Sequence, residues 1–236
     1  RKGFAVRLGL RYVKGLSEAR DGAPLLAARA EAPFASLADL RRRAGLGKGA
    51  LDRLAAAGAL EGLRSGRRGA LWEARGTAGA GELPLSPSEP PPAFAPLSAT
   101  ETIVWDYRSG DLSPRGHPLG PLRGELRAQG FPDARSVAAL PHGRRVRYAG
   151  LVICRQRPGT AGGVTFLTLE DETGFVNVVL WRRVFEHHPV LAKTAALLGV
   201  TGKLQVQDGV THLVAESLWE PRLRTRPASA GSRDFR

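Results

Sequence analysis

A run of glycine, serine and proline between Gly76 and Pro96 restricts how this sequence can fold more than any other feature. It contains Ser86-Pro87-Ser88-Glu89-Pro90-Pro91-Pro92. Because proline fixes its own φ angle and has no N–H to donate, such a run cannot continue a helix or an inner strand. The sequence therefore predicts an extended linker over residues 76–97, with a separately folded part on either side.

Residues 1–75 have the pattern of short helices interrupted by glycine. Ser36, followed by Asp39, is typical of a helix N-cap and predicts a helix from Leu37 to about Ala44. The stretch Leu46-Gly47-Lys48-Gly49 then interrupts the pattern, and a second helix over residues 50–57 ends at a glycine. We therefore expect an all-α region that contains a helix, a tight glycine turn and a helix.

The pattern changes to a period of two from residue 143, where apolar and polar residues alternate. Turn residues divide this part into three strands, a helix over residues 183–193, and two more strands. That order is typical of an OB-fold, a five-stranded β-barrel. The predicted fold class is thus α+β and multi-domain. Its predicted domains are a helix-hairpin-helix region over 1–75, the linker, a helical connector over 98–142, the OB-fold over 143–221 and a basic disordered tail over 222–236.

The formal net charge of +13 indicates a polyanionic partner such as nucleic acid. An alternative is codon bias, because only 5 of the 35 basic residues are lysine and alanine, glycine and proline are abundant, as in a GC-rich genome. Codon bias would spread the charge evenly. Instead, residues 1–75 carry a net +9 and residues 143–221 only +2, which favours a polyanion-binding helical region.

Two glycine turns in the helical region are candidates for phosphate binding. Glycine lets the chain turn sharply and brings backbone N–H groups up to a phosphate, and the next helix adds its dipole. Such contacts position DNA without reading its sequence. An ordinary connection between helices is the alternative, and the local charge favours DNA. The candidate residues are Lys14, Gly15, Ser17, Gly45, Gly47, Lys48 and Gly49.

Strands two and three of the predicted barrel carry aromatic residues on the face opposite the core. If Leu167, Leu169, Val176, Val178 and Leu180 point inward, then Phe166, Phe175, Asn177, Val179 and Trp181 point outward. OB-folds stack unpaired bases at this position. Packing of Phe175 and Trp181 on a helix or another domain is the alternative. The candidate DNA-binding residues here are Arg147, Arg155, Arg157, Phe166, Asn177, Trp181 and Lys203.

The sequence contains no convincing catalytic or metal-binding constellation. Glu170-Asp171-Glu172 falls at a predicted hairpin corner, where solvated turn residues are expected. Cys154 is the single cysteine, so it forms neither an internal disulfide nor a cysteine-rich zinc site. We therefore predict no catalytic residue, metal or cofactor within this chain.

The chain also lacks the apolar run of about 18 to 20 residues that spans a bilayer, and a signal peptide. We expect a soluble, cytoplasmic protein without a membrane partner. Because the sequence begins Arg1-Lys2-Gly3 and contains no methionine, we expect it to be part of a longer chain.

Several motifs resemble the α-subunit type of bacterial DNA polymerase III, a C-family polymerase, and within it the error-prone, ImuC-like branch. The similarity covers about residues 4–221. Two positions depart from the family, which usually has a second glycine at Ser17 and often a lysine at Gly162. The similar motifs are Arg7-Leu8-Gly9-Leu10-Arg11-Tyr12-Val13-Lys14-Gly15-Leu16, Pro33-Phe34-Ala35-Ser36-Leu37-Ala38-Asp39-Leu40, Leu54-Ala55-Ala56-Ala57-Gly58-Ala59-Leu60, Val104-Trp105-Asp106-Tyr107, Gly116-His117-Pro118, Arg155-Gln156-Arg157-Pro158-Gly159 and Phe166-Leu167-Thr168-Leu169-Glu170-Asp171-Glu172-Thr173-Gly174.

The resemblance implies a parent DNA-directed DNA polymerase that extends DNA past lesions, with Mg²⁺ and its catalytic aspartates upstream of this chain. The helical region would hold primer-template DNA, and the OB-fold would touch single-stranded template. The implied protein partners are an accessory polymerase-like protein and the sliding clamp. Two alternatives stay open: a scaffold whose OB-fold docks accessory proteins instead of DNA, and an independent enzyme.

Overall fold

The chain divides into two compact units, Arg1–Leu112 and Ser113–Arg236. The computed structural model describes residues 7–64, 66–76, 92–207, 209–229 and 232–235. Most of the predicted linker, residues 77–91, therefore lies outside the described residues. The predicted connector over 98–142 is divided between the units, because its first helix belongs to the helical one.

Short helices build the first unit. A 3-10 turn (Leu10–Tyr12) and a π-helical turn (Glu18–Gly22) precede the first α-helix. The α-helices are α1 (Ala23–Glu31), α2 (Leu37–Ala44), α3 (Lys48–Ala56), α4 (Arg67–Gly76) and α5 (Ala99–Gly110).

Helix α2 begins and ends as its sequence predicts. The Ser36 hydroxyl accepts a hydrogen bond from the Asp39 N–H at 3.1 Å, which satisfies one of the first free amides of the helix. Gly45 ends the helix with φ +61°, in the left-handed region that a side chain would strain. Helix α3 starts at Lys48, two residues before the predicted start, so the connecting turn is very short.

Leucines from α2 and α3 form the centre of the first unit's core. Leu37, Leu40, Leu51 and Leu54 are all at most 2% exposed. Burying each of them contributes about 1.5 to 3 kcal/mol before entropy is counted. The two helices that flank the glycine turn are therefore fixed against each other.

An ion pair joins α5 to the rest of the first unit. Arg67 Nη2 on α4 lies 2.5 Å from Asp106 Oδ1 on α5, and both side chains are at most 5% exposed. A buried charge is costly unless it is paired, so loss of either partner would destabilise this junction. Nearer the surface, Arg68 pairs with Glu101 at 2.6 Å.

Five strands close the predicted barrel in the second unit, which confirms the OB-fold. The elements are α6 (Arg123–Ala128), α7 (Ala134–Ala138), β1 (Arg145–Gln156), β2 (Thr165–Asp171), β3 (Gly174–Leu180), α8 (Arg182–His187), α9 (Pro189–Thr194), β4 (Leu197–Gln207) and β5 (Val210–Trp219). The pairing order is β2-β3-β5-β4-β1, and β1 pairs back with β2. A bulge at Val152–Cys154 lets the long strand β1 pair with both β4 and β2.

The tail differs from its prediction. Residues 222–236 were expected to lack regular structure, but Arg233–Phe235 forms a sixth strand, β6. It pairs in parallel with β1 at Cys154, Arg155 and Gln156. A side-chain contact holds this end, because the Arg155 guanidinium donates to the Ser232 hydroxyl.

The helix predicted over 183–193 is divided in two at Pro189. Proline has no N–H to donate, and the preceding His188 adopts φ −130° and ψ 50°, outside the helical region. Helix α8 therefore ends at His187, and Pro189 takes the first position of α9.

At the acidic corner between β2 and β3, Asp171 is buried and Glu172 is partly buried, in contrast to the solvated turn that was predicted. Asp171 is 2% exposed and accepts hydrogen bonds from the Ala134 N–H at 2.7 Å and from Arg123 Nη2 at 3.0 Å. Arg123 also pairs with Glu172. These contacts attach α6 and α7 to the barrel, so two residues of the triplet are structural.

Candidate nucleic-acid interface

The turn between α2 and α3 exposes the glycines that were predicted to bind phosphate. Gly45, Gly47, Lys48 and Gly49 are all exposed. Leu46 between them is only 3% exposed and belongs to the core of the first unit. The buried leucine therefore anchors the turn, while the glycine backbone faces solvent.

Backbone amides at this turn are available to a ligand. The N–H groups of Ala50 and Leu51 both donate to the Gly47 carbonyl, at 3.0 and 3.2 Å. Over the described part of the chain, the N–H groups of Gly47, Lys48 and Gly49 donate to no acceptor, and no side chain caps α3. Amides at a helix N-terminus attract anions, so the turn suits a phosphate oxygen.

The predicted hairpin at Gly15 is different, because the protein itself uses its polar groups. Gly15 turns the chain with φ +72°. The Lys14 N–H donates to the Ser109 carbonyl at 2.8 Å, and Lys14 Nζ lies 2.5 Å from Asp111 Oδ1. Lys14 is thereby held at the end of α5.

Ser17 has a structural role in the same hairpin. Its N–H donates to Asp21 Oδ2 at 2.8 Å, and its hydroxyl accepts from the Arg20 N–H at 3.3 Å. Both contacts cap the π-helical turn. Lys14 and Ser17 are therefore used by the protein itself, whereas the Gly15 N–H donates to no acceptor among the described residues and is available to a ligand.

Some of the first unit's positive charge is used internally. Arg43 donates to the carbonyls of Ala28 and Ala32 at the end of α1, and its guanidinium lies 4.9 Å from the centre of the Phe34 ring. Lys48 and Arg53, in contrast, are exposed and make no hydrogen bond or close ion pair with any described residue. Both lie on α3, next to the free amides. The pKa of Asp21 is lowered mainly by a hydrogen bond from Arg20 and further by the nearby charge of Arg53.

The outer face of β2 and β3 carries the predicted aromatic residues. Phe166, Phe175 and Trp181 are 38%, 64% and 55% exposed. Their strand neighbours Leu167 and Val176 are buried, which confirms the alternation predicted for these strands. The exposure argues against packing of Phe175 and Trp181 on a helix of this unit, whereas packing on another domain stays an alternative.

Strand register relates the other outer-face candidates to Phe166. Phe166 pairs with Val179 on β3, Val179 with Val214 on β5, and Val214 with Lys203 on β4. Paired residues project to the same side of a sheet, so Phe166 and Lys203 both point outward, but three strand pairings separate them along this path around the closed barrel. Asn177, two residues from Val179, lies on the same face and accepts a 3.4 Å hydrogen bond from the Thr168 hydroxyl.

The predicted arginines of the barrel are in three different situations. Arg147 is exposed and its guanidinium lies 4.9 Å from the centre of the Trp219 ring. Arg157 lies 4.6 Å from the centre of the Phe185 ring. Arg155 donates to the carbonyls of Ala192 and Ala195, so its donors are occupied within the protein. We therefore leave Arg155 out of the candidate interface.

Two families of domain match the chain. One is described as a helix-hairpin-helix motif and matches residues 1–70. The other is described as an OB-fold nucleic acid binding domain and matches residues 146–221. Both agree with the predicted fold class and with the two candidate surfaces.

Curated relatives extend the similarity to nearly the whole chain. The error-prone DNA polymerase of Alkalilimnicola ehrlichii is 45% identical over 240 residues, which cover 98% of this chain and 23% of that polymerase. Those of Azoarcus sp. and Sinorhizobium medicae are 44% and 41% identical, covering 98% and 91% of this chain and 22% and 20% of their own lengths. The chain belongs to the error-prone DNA polymerase family. It spans about a fifth of the length of these relatives.

Solved structures add little to this family assignment. Asparaginyl-tRNA synthetase from Pyrococcus horikoshii is 25% identical, covering 38% of this chain and 22% of its own, with a TM-score of 0.33. A TM-score this low has no bearing on function. In the described residues of this error-prone polymerase segment, no helix could span a membrane, and no group of three or more His, Cys, Asp or Glu could hold a metal ion.

Sequence analysis missed Arg53, which lies between the two hairpins. A Cβ atom added to Gly15 would lie 2.8 Å from Arg53 Nε, and one added to Gly49 would lie 3.6 Å from Nη1. Arg53 follows Gly49 by four positions on α3, a spacing that places both on one helix face. This spacing could have indicated from sequence that Arg53 lies beside Gly49. The proximity of Arg53 to Gly15 depends on the tertiary fold.

Proposed function

We propose that this chain is the DNA-binding part of an error-prone polymerase that acts in translesion synthesis. The helical unit would hold duplex primer-template DNA through the turn between α2 and α3. The observation that carries this proposal is the set of three unbonded amides at Gly47, Lys48 and Gly49, exposed beside two unpaired cations. The backbone at Gly15 would contact a second phosphate of the DNA, and Lys14 and Ser17 would stabilise the turn at Gly15.

The proposed role of the OB-fold is to bind single-stranded template. Phe166 and Trp181 would stack on bases, because every base has a π face and exposed aromatics accept it. Asn177, on the outer face of β3, would contact base edges, and Lys203, farther around the barrel on β4, would contact phosphate. Arg147 and Arg157 would bind the backbone while remaining stacked on aromatic rings.

The remaining functions of the proposed polymerase require groups outside this chain. Nucleotidyl transfer would use Mg²⁺ held by catalytic aspartates in the rest of a longer enzyme. An accessory polymerase-like protein and the sliding clamp are the proposed protein partners. Both functional units of this chain would then position DNA for chemistry that occurs elsewhere.

A second candidate is an OB-fold that docks an accessory protein of the same assembly. The net charge of only +2 over residues 143–221 favours it, since a single-strand binding surface is usually basic. Large exposed aromatics such as Phe175 also suit a protein interface.

The substitution Gly47→Asp tests the proposed hairpin contact. Gly47 has φ −72° and ψ 159°, which any residue can adopt, and a Cβ atom there would meet nothing within 4 Å. Aspartate is a strong N-cap, so the folded protein should be equally stable or more stable. Its carboxylate would occupy the phosphate position, and we expect affinity for blunt duplex DNA to fall about tenfold or more, measured by fluorescence anisotropy.

Gly62→Asp is the matched control, because Gly62 is exposed, lies in the same unit and also has open space at its Cβ. It makes the same charge change away from the hairpin and should weaken binding much less. Equal affinity losses in the two variants would contradict the hairpin contact.

A further inference from the structure

A cleft of about 360 Å³ lies within the first unit, between residues 13–14, α3, α4 and α5. It is separate from the free amides of the hairpin, because Gly47, Lys48 and Gly49 do not line it. A volume of this size is at the lower end of small-molecule sites. The cleft is therefore large enough for one small planar ligand.

The inner lining of the cleft is apolar and aromatic. Val13, Ala56, Leu71 and Trp105 line it and are all half-buried. No other ring contacts Trp105 among the described residues, so its indole is available for stacking. Such a lining favours a flat, weakly polar group such as a nucleobase.

Cations surround this apolar lining. Lys14, Arg53, Arg75 and Arg108 line the cleft and are exposed. Lys14 and Arg75 have carboxylate partners, whereas Arg53 and Arg108 make no hydrogen bond or ion pair in the described part of the chain. Two unpaired guanidinium groups beside an aromatic pocket suit a phosphate attached to the base.

Asp52 also lines the cleft, and its Oδ2 accepts from Arg75 Nε at 3.4 Å. Its Oδ1 is buried from solvent, so a ligand in the cleft does not reach that oxygen. Asp52 therefore binds Arg75 and is not assigned a contact with the ligand.

We propose that this cleft binds a single unstacked nucleotide. Its base would lie against Trp105, and its phosphate would bind Arg53 and Arg108. The inference goes beyond the hairpin contact; the two sites share Arg53, but the cleft uses none of the hairpin amides. A free nucleotide and the unpaired terminal nucleotide of a DNA strand present the same chemistry, so the test must separate these two sources.

The test uses the 236-residue chain and two probes. One probe is deoxyguanosine monophosphate, followed by calorimetric titration. The other is a duplex with one unpaired 3′ nucleotide, compared with the same duplex made blunt. We expect saturable binding of the mononucleotide. Tighter binding of the overhang duplex would identify the terminal nucleotide of a DNA strand as the ligand. Equal binding of the two duplexes would identify the free nucleotide as the ligand.

Arg108→Gln should weaken binding of the mononucleotide about tenfold, because it removes one charge-assisted phosphate contact. Arg29→Gln is its control, since Arg29 is equally exposed and unpaired among the described residues but does not line the cleft. Trp105→Leu should abolish binding, whereas Trp72→Leu, a 42% exposed tryptophan outside the cleft, should not. Thermal unfolding checks that each variant is folded.

Two results would overturn the cleft assignment. One is the absence of both saturable mononucleotide binding and any overhang preference. The other is unchanged mononucleotide affinity in Arg108→Gln. Gly47→Asp separates this site from the proposed function, because it should lose affinity for blunt duplex and keep mononucleotide binding.

Discussion

At the scale of single residues, the Asp133 side chain caps α7 where this helix meets the barrel, and the cap contributes to the stability of the second unit. Its Oδ1 accepts a hydrogen bond from the Ser136 N–H at 2.8 Å, and its Oδ2 accepts from Arg127 at 3.1 Å. Hydrogen bonds from Ser136 lower the pKa of Asp133 to about 2. The folded protein therefore prefers the ionised carboxylate more strongly than the unfolded chain does.

Replacing this cap predicts a pH-dependent loss of stability. Asp133→Ala should lower the free energy of unfolding of the second unit by about 1 to 2 kcal/mol at neutral pH. Because the folded pKa lies below the unfolded value of about 3.9, the ionised cap stabilises fully above that value. Its contribution is lost as the pH falls toward about 2. Urea unfolding at several pH values measures the difference.

Asp133→Asn is the control, because asparagine caps a helix well but does not titrate. It should retain most of the stability at neutral pH and lack this part of the acid sensitivity. A gap between wild type and Asp133→Ala that stays constant from neutral to acid pH would contradict the assignment.

Residue-level prediction from sequence succeeds where the contact is local. Ser36 and Asp39 are three positions apart, so the cap of α2 can be recognised from sequence alone. Arg123 and Asp171 are 48 positions apart, and only the fold brings them together. The acidic triplet was therefore misread as a solvated turn.

At the scale of elements, the ligand of the outer face of β2 and β3 decides between the proposed DNA-binding role and the scaffold alternative. Phe166→Ala and Trp181→Ala should each lower affinity for single-stranded DNA about tenfold, since a stacked base contributes about 1 to 3 kcal/mol. Val190→Ala, which alters a 70% exposed apolar residue on α9, should have little effect. Anisotropy titration with a labelled oligonucleotide measures all three variants.

The scaffold alternative makes the opposite prediction for the same variants. Single-strand affinity would stay intact, and binding of an accessory protein would fall. That outcome would transfer the role of Phe166 and Trp181 from DNA to protein recognition.

Elements with a strong period were predictable, and short ones were not. The alternation of buried and exposed residues along β2 and β3 determined their inner and outer faces. Strand β6 has only three residues and depends on its pairing with β1, so it has no pattern of its own. The division of the helix at Pro189 has a local cause that sequence analysis overlooked.

At the scale of the whole molecule, charge and fold assign different tasks to the two units. Residues 1–75 of the helical unit carry a net +9 and expose free backbone amides, as sequence-independent phosphate binding requires. The barrel is nearly neutral over residues 143–221 and displays aromatic rings. The sequence alone predicted that residues 1–75 carry more positive charge than residues 143–221. The Trp105 cleft and the position of Arg53 depend on tertiary packing.

The salt dependence of affinity for primer-template DNA is the most direct test of the claim that this chain binds DNA through phosphate contacts. We expect affinity to fall at least about tenfold between about 50 and 200 mM salt, because binding releases condensed counterions. Lys48→Gln should reduce the slope of log affinity against log salt by about one. An affinity that does not change with salt, in the wild type and in Lys48→Gln alike, would contradict the account.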